Sequence, residues 1–149
     1  MITIQVDENV EPAFDLSLLE QAAQEALRSV GTSPEAEITI VISGDAQLQE
    51  LNRRFLGIDA PTDVLSFPED FIDPDTENPY LGDIIISQER AEAQAQAGGH
   101  TVSDEVQLLV VHGVLHLLGY DHSETEDKDE MWAIQSQILH ALGVQISPP

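Results

Sequence analysis

The stretch VVHGVLHLLGYDH, residues 110–122, holds three of the chain's five histidines, His112, His116 and His122, inside an apolar run that ends at Gly119. An α-helix advances about 100° per residue, so two side chains four apart leave the same face and lie one turn from each other. His112 and His116 are therefore expected to hold one ion between their rings. Gly119 can adopt the left-handed conformation that ends a helix, and a short return through Tyr120 and Asp121 can bring His122 round as a third nitrogen. Three protein ligands with a fourth position open is the arrangement of a catalytic zinc site rather than a structural one. Around these histidines, Val106, Leu108, Leu109, Val110, Val111, Val114, Leu115, Leu117 and Leu118 cover nearly every direction. A helix apolar on all sides is a buried one, so the motif helix, starting near Ser103, is expected at the centre of the fold.

Outward from that helix, periodicity divides the rest of the chain. Ile2, Ile4 and Val6 alternate with polar residues as a half-buried strand. A helix is expected over residues 16–30, capped by Asp15 or Ser17 and stopped by Gly31. EITIVIS, residues 37–43, is apolar enough for a strand covered on both faces. Asp45 is expected to cap a helix through Leu48, Leu51, Asn52 and Phe55. In GIDAPTDVLSFP, residues 57–68, the two prolines favour a turn and then a short strand over residues 64–67. Residues 69–80, with five carboxylates and two prolines, read as a surface loop. They lack the glycine and terminal glutamate of a calcium loop. LGDIIIS, residues 81–87, is a strand, and an Ala-rich helix over residues 88–97 stops at Gly98 and Gly99. A last helix, capped by Ser123 or Thr125, has an acidic start that suits the positive end of its dipole and an apolar face of Met131, Ile134, Ile138 and Leu142. The expected architecture is a single α+β domain over residues 1–149: about four strands in a mixed sheet, packed with about five helices.

Composition narrows the function. Without cysteine there are no disulfides and no thiolate zinc sites, which leaves His, Asp and Glu as ligands and fits a reducing cytoplasm. The first residues lack the basic and apolar regions of a signal peptide, and no apolar run is long enough to span a membrane. Five Lys+Arg stand against 28 Asp+Glu, a formal net charge of -23. Such a surface resists loose binding to nucleic acid, which requires clustered cations.

The spacing HxxxHxxGxxH repeats the histidines and glycine of the zinc peptidase pattern HExxHxxGxxH. The peptidase glutamate, the base that activates water, is replaced by Gly113. Peptide hydrolysis needs that base and an acid for the leaving amine, and glycine supplies neither. A metal still lowers the pKa of bound water from about 15.7 to about 7 and shields a phosphoryl oxygen, which tilts the chemistry toward phosphodiesters. His100, behind a Gly-Gly stop, and His140, in the last helix, read as ordinary residues.

Three motifs in order, APTDVLSFP (residues 60–68), LGDIIIS (residues 81–87) and HGVLHLLGYDH (residues 112–122), resemble the YbeY endoribonucleases, also described as rRNA maturation factors. The resemblance implies a cytoplasmic, zinc-dependent, single-strand-specific endoribonuclease. Its implied roles are maturation of the small-subunit rRNA 3′ end and ribosome quality control. It implies one Zn2+ per chain on His112, His116 and His122, which act catalytically through the metal and its water. The implied partners are rRNA and the small ribosomal subunit, reached through a guiding ribosomal or assembly protein. No DNA or membrane partner and a monomeric state are expected. The family's cleft arginine falls on Leu56 here, and Arg53 and Arg54, one turn away, are the candidates to replace it in binding substrate. Asp63 and Ser66 are polar residues within the matching motifs, Asp63 suited to a turn. Asp121 can either orient His122 from behind or cap the turn after Gly119. Two other readings stand beside the nuclease. One is a zinc-stabilised ribosome-assembly factor with little or no catalysis, motivated by Leu56 and the acidic surface; the other is a metallopeptidase, which Gly113 opposes.

Overall fold

The structure, a computed structural model, describes residues 1–120 and 125–146, with side chains from residue 128 onward in the last helix. Four strands, β1 (Ile2–Val6), β2 (Glu37–Ser43), β3 (Val64–Ile72) and β4 (Pro79–Ser87), form one sheet in the order β1-β2-β4-β3. The first three positions are parallel and β3 runs antiparallel to β4. Five helices accompany them: α1 (Ser17–Ser29), α2 (Asp45–Leu56), α3 (Gln88–Gly98), α4 (Val102–Leu117) and α5 (Thr125–Ala141). The expected α+β class, the mixed four-stranded sheet and the helix count are all found.

Alternation along the strands sorts the helices. Ile38, Ile40 and Ile42 of β2 and Ile84 and Ile86 of β4 point to one face, where they join Leu19, Ala22, Ala23 and Ala26 of α1 and Val106, Val110 and Val114 of α4 in the main core. The intervening Ile85 points to the other face, with Leu48 of α2 and Leu65 of β3 in a smaller cluster. Thr39 and Val41 on that face are only half-buried, so β2 is fully covered on its isoleucine side alone. Each parallel pair needs a crossover, and α1 supplies the one between β1 and β2.

Three local expectations are corrected. The surface loop over residues 69–80 is instead mostly hairpin: β3 continues to Ile72 and β4 begins at Pro79, with Phe71 paired to Tyr80 and their rings stacked 5.0 Å apart. Pro68 is accommodated because β3 is an edge strand, where one side of the backbone has no ladder partner to lose, and the register shifts between Pro68 and Phe71. Asp45 does not cap its own helix. Its carboxylate accepts from the Ser87 hydroxyl at 2.7 Å and pairs with Arg90 at 3.2 Å, while Glu89 of α3 receives the Asp45 N–H. Lastly, α1 has Leu16 at its N-cap with near-helical dihedrals, and Asp15 acts from one residue upstream by accepting the Ser17 N–H at 2.9 Å. Ser123, an expected cap of the last helix, lies outside the described residues.

Candidate metal centre

α4 starts where Thr101 caps it, its hydroxyl accepting the Asp104 N–H at 3.1 Å, a donor that no earlier turn can satisfy. Glu105, Val106, Gln107, Leu109, Val110, Val111, Gly113, Val114, Leu115 and Leu117 are buried, which leaves the histidine face as the helix's outlet to solvent. The helix unwinds at Leu118, and Gly119 takes φ +95, a conformation that favours glycine. Gly119 and Tyr120 donate back to His116 and Leu115, so the helix ends at the glycine as expected. His122 and Asp121 follow immediately and lie outside the described residues.

His112 and His116 meet as the helical spacing requires. Their ring centroids are 4.5 Å apart, and the two Nε2 atoms approach to 3.0 Å. Tetrahedral zinc, with nitrogens at about 2.0–2.1 Å, sets two ligands about 3.3 Å apart, so the pair fits a shared ion with a shift of a few tenths of an ångström. Among the described residues no group of three His, Asp or Glu side chains forms a complete ligand set. On its other side His112 turns Nδ1 toward Gln135 Oε1 of α5, 3.1 Å away.

Both histidines open into a groove of about 380 Å³ whose opposite wall is the turn and strand of the APTDVLSFP motif: Thr62, Asp63, Leu65, Ser66 and Pro68, with Leu56 at the rim. Ser66 donates to the Gly113 carbonyl at 3.4 Å and ties β3 to α4. Asp63 accepts the Val64 N–H at 2.8 Å and the Thr62 hydroxyl at 3.4 Å, and its carbonyl receives the Ser87 N–H. It therefore holds the turn that forms this wall.

Gly113 does not face the groove. A Cβ there would stand 2.9 Å from Ile84 Cγ2 and 3.1 Å from Ile84 Cδ1, so that Ile84 would have to shift to admit it. Gly82 of β4 is equally constrained, at φ +140 with the Phe67 carbonyl and Leu117 against its open side. The glycines of two motifs thus mark where α4 lies directly on the sheet.

The family model of Endoribonuclease YbeY matches residues 2–143. This chain belongs to the endoribonuclease YbeY family. It is 44% identical over 149 residues to the Endoribonuclease YbeY of Roseiflexus castenholzii, covering 97% of this chain and 94% of that one. It is 46% identical over 133 residues to that of Desulfitobacterium hafniense, covering 85% of each chain. The solution structure of TM1509 from Thermotoga maritima superposes with a TM-score of 0.64 at 28% identity, covering 95% of this chain and 89% of that one.

Against the family pattern, Leu56 occupies the groove rim where an arginine is implied, and it is 58% exposed. Arg53 and Arg54 extend from the same helix but pair with Glu50, at 2.7 Å and 3.6 Å, and neither is among the residues lining the groove. Behind His112 a second hollow, of about 410 Å³, is bounded by His100, Glu105, Trp132 and Gln135. There His100 Nε2 lies 2.7 Å from Glu105 Oε1, so His100 has a specific buried partner. Burial pushes the Glu105 carboxyl above its ordinary range, and the His100 contact offsets part of that rise.

Gln135 was not singled out by its sequence. A signal existed: it lies four residues after Met131 and three before Ile138, on the stripe that an amphipathic helix buries. A polar residue there requires a partner.

Proposed function

We propose that this chain is a zinc-dependent endoribonuclease that cuts single-stranded RNA in ribosomal RNA processing, including maturation of the small-subunit rRNA 3′ end and ribosome quality control. The observation that carries the reading is the convergence of His112 and His116 at 3.0 Å in a groove walled by a second family motif. His112, His116 and His122 would hold the zinc. When bound, the metal supplies a Lewis acid that polarises a phosphoryl oxygen and lowers the pKa of water. The protein's own part is positional. α4 is buried on its other sides, so both imidazoles ride on a rigid element, and the Asp63 turn fixes the facing wall.

The groove is too shallow in cations to hold RNA by charge. Arg53 and Arg54, on the same helix as Leu56, are the candidate phosphate contacts, and a net charge of -23 calls for a ribosomal or assembly protein to bring this chain, a monomer in the cytoplasm, to the small subunit. No helix among the described residues is long and apolar enough to cross a membrane. Asp121 is proposed to steady His122.

The decisive test maps rRNA 3′ ends in cells carrying the wild type or His112→Ala, alongside zinc analysis and single-stranded RNA cleavage by the purified proteins. The reading expects about one zinc per wild-type chain and unprocessed ends with the variant. Cleavage that survives both His116→Ala and chelation points to a contaminating nuclease.

Leu56 at the groove rim favours a second reading, an assembly factor stabilised by zinc. That reading expects a cleavage-dead variant that keeps its zinc to restore normal rRNA maturation while still sedimenting with the small subunit. A peptidase reading is opposed by the absence of the glutamate at Gly113, where a side chain would have to displace Ile84.

A further inference from the structure

His112 is held from behind by a residue 23 positions away in sequence. Gln135 is 1% exposed, and Met131 and Ile138, its neighbours on the buried stripe of α5, are 2% and 0% exposed. Its carbonyl oxygen therefore reaches the α4–α5 seam from a packed side chain and meets His112 Nδ1 at 3.1 Å.

A carbonyl oxygen accepts hydrogen bonds and cannot donate, and a neutral imidazole carries one N–H. The contact consequently puts the ring proton on Nδ1. It leaves the lone pair on Nε2, the nitrogen that faces His116 at 3.0 Å. The opposite tautomer would set the amide oxygen against a second lone pair inside the protein, an unmatched polar contact.

We propose that Gln135 is a positioning residue for the metal centre: it locks His112 in the Nδ1–H tautomer, with Nε2 already directed at a divalent cation. Metal-binding histidines generally donate their second N–H to an oxygen acceptor, and loss of such a partner weakens metal affinity about 10–100-fold. An amide performs this task without adding charge to the site. The inference rests on His112 being a metal ligand, as read above.

The test uses the full chain stripped of metal at about pH 8, where imidazole is neutral. Long-range proton–nitrogen correlation spectra of the histidine rings report the tautomer directly. His112 is expected as Nδ1–H in the wild type and in Gln135→Glu, and as a mixture of tautomers in Gln135→Leu. Zinc titration against a chromophoric chelator should then show Gln135→Leu binding about 10–100-fold more weakly, with Gln135→Glu restored to within a few-fold of the wild type. An Nε2–H tautomer in the metal-free wild type overturns the proposal without any variant, so misfolding of Gln135→Leu does not shelter it. Tight wild-type binding with unchanged affinity in a folded Gln135→Leu overturns it as well. If the wild type takes up no zinc, the metal reading falls and the positioning role falls with it.

Discussion

Gly113 of α4 lies against Ile84 of β4 so closely that a methyl group on its Cα would come within 2.9 Å of the Ile84 side chain. The contact gives the missing peptidase glutamate a structural cause, because any side chain at this position enters the sheet. Gly113→Ala is expected to destabilise the fold by about 1–3 kcal/mol, the usual cost of overpacking a core. Pairing it with Ile84→Val should recover part of that loss in denaturant unfolding. Equal stability of the single variant and the wild type would show that helix and sheet separate more easily than their packing implies.

The rim position of Leu56 can be tested by restoring a cation. Leu56→Arg should tighten single-stranded RNA binding and steepen its dependence on salt, the logarithmic slope growing by about 0.7 for one added phosphate contact. Arg53→Gln with Arg54→Gln should weaken binding and flatten the slope. Filter binding at several salt concentrations distinguishes these outcomes from a change in folding.

Thr101 holds the start of the helix that carries both histidines. Thr101→Ala removes the side-chain acceptor for the Asp104 N–H, and a loss of about 1 kcal/mol is expected in chemical unfolding. Thr101→Ser should retain most of the stability.

Tyr80 provides a pH signature remote from the histidines. Burial first, and then its hydrogen bond to Asp83, push the phenol up to about 12. An acid whose pKa is raised by folding contributes stability that is complete below the unfolded value of about 10 and is lost as pH rises through the folded one. Stability should therefore fall between pH of about 10 and about 12, with a shallower fall in Tyr80→Phe. Ultraviolet titration of the phenolate should place the Tyr80 transition near the upper end of this window.

The sequence made the regular elements legible where a single period ran uninterrupted. β2 begins and ends as EITIVIS suggested, and the histidine face of α4 follows from a spacing of four. It was misleading where a residue's meaning depends on a distant neighbour. Pro68 reads as a stop, yet an edge strand tolerates it; only pairing with β4 shows that β3 is an edge. Asp45 has the chemistry of a cap, but Ser87 and Arg90, more than forty residues later, claim its carboxylate. Gln135 meets His112 only because α5 packs on α4, a relationship that no local pattern encodes.

The outermost position of β3 also bears on how this protein behaves in a crowded solution. An open strand edge invites the sheet of another molecule to continue it, the first step toward fibrous aggregates. Here the far half of that strand, where Glu69 and Asp70 are exposed, carries negative charge along the free border and departs from regular register beside Pro68. A second copy approaching edge to edge would meet the same charges and the same irregularity. The hairpin that shapes one wall of the groove thus also guards the sheet against self-templating.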